Sequence, residues 1–89
     1  MEYKEFCIKY PDIICFFVNR NSKLSEKIDR NLGFFVPYEV ETLMQRGYQP
    51  VLSKMRIDMA VSLYKNYSAE FPNYKNIIED LNNTNAVIV

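Results

Sequence analysis

The fold turns on one stretch: Tyr3-Lys4-Glu5-Phe6-Cys7-Ile8-Lys9-Tyr10-Pro11-Asp12-Ile13-Ile14-Cys15-Phe16-Phe17-Val18. Its last six residues resemble a strand by composition, because β-branched and aromatic side chains suit a pleated sheet. The wider spacing points the other way. Tyr3, Phe6, Cys7, Tyr10, Ile13, Ile14, Phe17 and Val18 recur at steps that keep them on one side of a helix, and the phase holds across Pro11. Proline clashes with the preceding turn and restricts the residue before it. The spacing therefore predicts a kinked helix, or two short helices over 2–10 and 11–19, the second opened by Pro11 with Asp12 in its first turn.

Downstream, the same logic extends the helices. Asn19-Arg20-Asn21-Ser22 is a polar break in which Asn21 or Ser22 can cap a helix. Leu24, Ile28 and Leu32 recur every four residues and Gly33 stands where a left-handed stop belongs, which predicts a helix over 22–32. Pro37, Glu39, Arg46 and Gly47 bound a helix over 37–46. A central helix is expected over 51–67, with Leu52, Met55, Met59, Leu63 and Tyr67 as its buried stripe. A short helix over 73–82 follows. The expected architecture is all-α, a bundle of four to six short helices in one domain spanning 1–85. The apolar tail 86–89 could dock on a sheet edge, fill a groove, fold back on its own core, or stay disordered.

Composition narrows the function. The chain has 89 residues, enough for one core. It is 48% hydrophobic, too apolar for a disordered chain. Eleven basic and eleven acidic residues cancel, so no long-range field draws the chain to phosphate. Histidine is absent, which removes the commonest general base and metal ligand. The cysteines, Cys7 and Cys15, would lie roughly 12 Å apart along a helix, too far for a disulfide. They read as buried reduced thiols, and two cysteines without histidine do not make a zinc site. Glu2 and Glu5 interrupt any leader-like apolar run, and the longest apolar run, Ile13 to Val18, is far below the ~20 residues that span a bilayer. A cytoplasmic protein is expected. No cofactor, metal or catalytic residue is assigned. Ser22-Lys23 and Ser53-Lys54 are neighbours that face apart on a helix, and the carboxylates do not pair.

Binding features remain. On a helix, Arg20, Lys23, Lys27 and Arg30 share one face, about 120° from the Leu24-Ile28-Leu32 stripe at ~100° per residue. That basic stripe could meet phosphate or an acidic protein surface, or be ordinary solvated surface. Phe16 and Phe34, with Ile8, Ile57 and Val61, are apolar residues that the stripes leave unused, and such surplus marks interfaces, self-association included. The expected function is a small non-catalytic regulator or inhibitor that binds and occludes a partner macromolecule through Arg20, Lys23, Lys27, Arg30, Phe16 and Phe34. The composition, rich in Asn, Lys, Ile and Tyr, suits an AT-rich genome and a phage or mobile-element origin. The alternative is a helix-turn-helix-like nucleic-acid-binding regulator, with Gly47 at the turn and Lys54 and Arg56 on the second helix. That plan is weakened by Ser53 and Arg56, polar residues at positions that should pack inward.

Overall fold

The computed structural model describes residues 2–19, 26–29, 33–84 and 88–89. It corrects the all-α expectation. The architecture is mixed, with a three-stranded antiparallel sheet and four α-helices. The element order is α1 (Tyr3–Lys9), a 3₁₀ turn (Pro11–Ile13), β1 (Ile14–Asn19), β2 (Glu26–Asp29), α2 (Pro37–Gln45), β3 (Gln49–Leu52), α3 (Lys54–Asn66), a second 3₁₀ turn (Pro72–Tyr74) and α4 (Ile77–Asn82). The strand order is β2-β1-β3.

The deciding stretch is a helix only as far as Lys9. Tyr10, held before Pro11, leaves the α region at φ −126°, ψ 60°, and the chain makes one 3₁₀ turn before extending into β1. All the same, the apolar stripe is buried where the spacing placed it. Phe6, Cys7, Tyr10, Ile13, Ile14 and Phe17 are fully buried in one cluster. A β-bulge reconciles the two facts. Ile14 pairs with Leu52 and Phe16 with Val51, so β1 advances two residues while β3 advances one. The extra residue lets Ile14 and Phe17, three apart, sit opposite Leu52 and Pro50, which are two apart. Both pairs then face the core. A bulged strand has thereby imitated helical spacing.

The expected helix 22–32 is corrected over the part that is described. Glu26–Asp29 is a strand, with Ile28 opposite Phe17 and Lys27 opposite Val18. Lys27 therefore belongs to no helical stripe. Gly33 does not take a left-handed conformation; among the described residues Gly47 alone has a positive φ, at 91°. There it ends α2, with Tyr48 N–H donating to the Leu43 carbonyl at 3.0 Å. That boundary agrees with the sequence reading. The next one does not. Gln49–Leu52 pairs with β1, and α3 begins only after Ser53, whose Oγ accepts the Arg56 N–H at 3.3 Å.

The core lies between the inner face of the sheet and the helices. Phe17 meets Phe35 edge-on at 4.8 Å, and Phe6 meets Tyr10 at 5.0 Å. Val40 and Leu43 of α2, Ile57 and Ala60 of α3 and Ile77 of α4 complete it. Tyr3 ties α1 to β3 by donating to the Pro50 carbonyl at 2.6 Å. The tail expectation resolves toward a sheet edge of the same chain. Ile88 forms a parallel bridge with Leu52, and Val89 N–H donates to the Leu52 carbonyl at 2.9 Å. Residues 85–87 lie outside the described set. Among the described residues no helix is long and apolar enough to cross a membrane.

Candidate interaction surface

Helix α3 is turned the opposite way from the sequence reading. Ile57 and Ala60 are buried, whereas Met55 is 70% exposed and Met59 52% exposed. The expected inward stripe of Met55, Met59 and Tyr67 is thus an outward one. The physical reason is visible on a helical wheel at ~100° per residue. Ile57, Ala60, Val61 and Tyr64 fall within an arc of about 100°, and that arc carries no charge. Met55 and Met59 share their side with Lys54, Asp58, Ser62 and Asn66, all exposed. Those polar companions were the signal that the spacing of the methionines alone concealed.

Beside the outward face of α3 stands Phe34, 62% exposed. Asp12, Ile13, Phe34, Arg56, Met59, Ala60, Leu63 and Tyr74 line a small cleft of about 50 Å³. Buried Ile13 and Ala60 are among its lining residues. Arg56 is fixed at its side. Nη1 donates to the Ile14 carbonyl at 3.0 Å and to the Asp12 carbonyl at 3.5 Å, and the guanidinium carbon lies 5.3 Å from the centre of the Phe34 ring. Burial raises the Asp12 carboxyl above its ordinary pKa, opposed by a backbone hydrogen bond and by the positive charge of Arg56. A larger groove of about 280 Å³ adjoins the cleft. It shares the Asp12 and Tyr74 walls and runs to Lys9, Glu70 and Phe71, whose ring stacks on Tyr74 at 5.4 Å.

The other expected contacts are placed as follows. Phe16 is half-buried on the outer face of the sheet, with the Lys27 ammonium 4.3 Å above its ring. Lys27 also pairs with Asp29 at 3.6 Å. Arg20, Lys23 and Arg30 lie outside the described residues, so the basic stripe cannot be traced; its one described member, Lys27, sits on a strand. The structure brings Phe16 to Lys27 and Phe34 to Arg56, two separate cation–aromatic pairs. Lys54 is ion-paired with Asp58 one turn along α3. The expected helix-turn-helix plan has β3 between its two helices, so α2 and α3 are not joined by a tight turn.

Other polar side chains tie elements of the fold together. Tyr10 OH donates to Asp80 Oδ2 at 2.7 Å, and Lys9 Nζ reaches the same oxygen at 3.1 Å. Together they join the end of α1 to α4 and hold the Asp80 carboxyl below its ordinary pKa, the Tyr10 hydrogen bond being the largest cause. Tyr10 is raised, by burial first and by Asp80 second. Burial pushes the Cys7 thiol up to about 12, which keeps it protonated and unreactive at neutral pH. Cys15, expected to be buried, is half-buried. Among the described residues no group of three Cys, Asp or Glu side chains could hold a metal ion.

No family model, no curated protein and no solved structure matches the chain.

Proposed function

We propose that this chain is a small non-catalytic interaction protein that binds a partner protein through the Phe34 and α3 face and occludes the surface it covers. One observation carries the reading. Two large exposed apolar side chains, Phe34 and Met59, line a cleft with a fixed arginine at its side, and Met55 stands in solvent one turn before Met59 on α3. Exposed apolar clusters of this kind mark contact surfaces. Methionine adapts to irregular partners, and aromatic and arginine side chains anchor interfaces. The matching partner surface has an apolar ridge to enter the cleft and a carboxylate within reach of Arg56. Free thiols at Cys7 and Cys15 suit the reducing conditions of a cytoplasm.

The test is capture from an extract of the source organism, using the intact chain, Met59→Lys, and, as a control, Lys4→Glu, an exposed position on α1 outside the cleft and its adjoining groove. Thermal unfolding is measured for each. A specific protein retained by the intact chain and the control, but lost with Met59→Lys at unchanged stability, supports the reading. Equal capture by all three would overturn it. So would capture of nucleic acid that weakens steeply with salt, the signature of phosphate contact.

A further inference from the structure

The two outer edges of the sheet are treated differently. On β3, Ile88 bridges Leu52 at the end of the strand. On β2, no strand among the described residues pairs with the outer edge. An unpaired edge offers backbone N–H and C=O groups to another strand. Beside β2 lies a groove of about 240 Å³ lined by Ile28, Tyr38, Glu39, Thr42 and Leu43, and Tyr38 is 78% exposed.

We propose that the β2 edge pairs antiparallel with the β2 edge of a second copy of this chain, on a two-fold axis through Ile28, giving a continuous six-stranded sheet. The choice of a second copy rests on charge. Three two-fold registers pair at least three described residues of each β2 strand, Glu26-Lys27-Ile28-Asp29. Centred on Lys27, the strands place Lys27 against Lys27. Centred between Lys27 and Ile28, they place Glu26 against Asp29. Centred on Ile28, they place Lys27 against the partner's Asp29, twice, with Ile28 against Ile28. Opposite charges directly across a pair stabilise it and like charges destabilise it, so one register alone is self-complementary.

Two further observations agree. The chain carries no net charge, so two copies approach without long-range repulsion. The groove places apolar surface next to the pairing strand, and the two-fold axis brings each Ile28 and its neighbouring Tyr38 toward their counterparts. This surface shares no lining residue with the cleft at Phe34 and Met59 and does not depend on it.

The test is sedimentation equilibrium of the full chain up to millimolar concentration. The intact chain is expected to dimerise reversibly. Lys27→Glu, which sets two pairs of like charges against each other, is expected to weaken the dimer on the order of tenfold or more. Exchanging the charges, Lys27→Asp with Asp29→Lys, is expected to restore it. Met59→Lys is expected to leave it unchanged. Circular dichroism of each variant checks that the sheet remains. A chain that stays monomeric, a dimer indifferent to Lys27→Glu, a charge exchange that fails to restore pairing in folded protein, or a dimer lost only with Met59→Lys would each overturn the proposal.

Discussion

Residues 3–19 and residues 54–66 carry the same kind of sequence signal, an apolar stripe at helical spacing, and the structure uses it in opposite ways. In the first, the stripe is buried almost as spaced, but only its beginning is a helix. In the second, the helix is real, but the methionine stripe faces solvent. Burial and conformation are therefore separate properties, and periodicity reports them separately. In 3–19 a proline, a 3₁₀ turn and a bulge at Cys15 deliver Phe6, Tyr10, Ile14 and Phe17 to one core. In 54–66 a fully apolar arc around Ile57 wins the core and leaves Met55 and Met59 outside.

The strongest way to break the first half of this contrast is Phe17→Ala. Phe17 is fully buried and packs on Phe35, so a loss of about 3–5 kcal/mol is expected in denaturant unfolding. A loss below about 1 kcal/mol would mean that this side chain is not in the core. Ile57→Ala sharpens the second half, with an expected loss of about 2–5 kcal/mol. Its counterpart Met59→Ala is expected to change stability by no more than about 0.5 kcal/mol. Equal losses for the two would return the methionines to the interior.

A smaller effect is expected at the joint where the first stretch leaves its helix. Asp80, bonded to Tyr10 and Lys9, has a folded pKa below its ordinary value. Its stabilising contribution is complete above the unfolded carboxylate pKa, ~3.9, and is lost as pH falls through the lower folded pKa. Asp80→Asn is expected to lower stability modestly at neutral pH and to flatten the decline below about pH 4. An unchanged acid limb would show that Asp80 is not linked to folding.

Much of the helical content was legible because its signals are local. Pro37 and Gly47 bound α2 by fixing φ at one end and permitting a positive φ at the other. The sheet was not legible because its signals are tertiary. A bulge exists only relative to a partner strand, and β2, with Ile28 as its single apolar residue, is a strand because β1 pairs with it. Val51 and Leu52 looked like the start of α3, yet Ser53 marks that start by its cap, a role hidden while it was counted as a polar residue in the wrong place. Of the candidate contacts, Phe34 could be singled out as surplus. Its pairing with Arg56 and Met59 required the turn of α3, which the charged and polar neighbours of the methionines encode.

The most direct test of the outward face is methionine oxidation by dilute peroxide in the native monomer, followed residue by residue by mass spectrometry. Exposed thioethers oxidise readily, whereas packed ones are shielded. Met55 and Met59 are expected to oxidise nearly as fast as in the unfolded chain, and half-buried Met44 more slowly. Met55 and Met59 reacting as slowly as Met44, or more slowly, would contradict the orientation of α3 and with it the proposed contact surface.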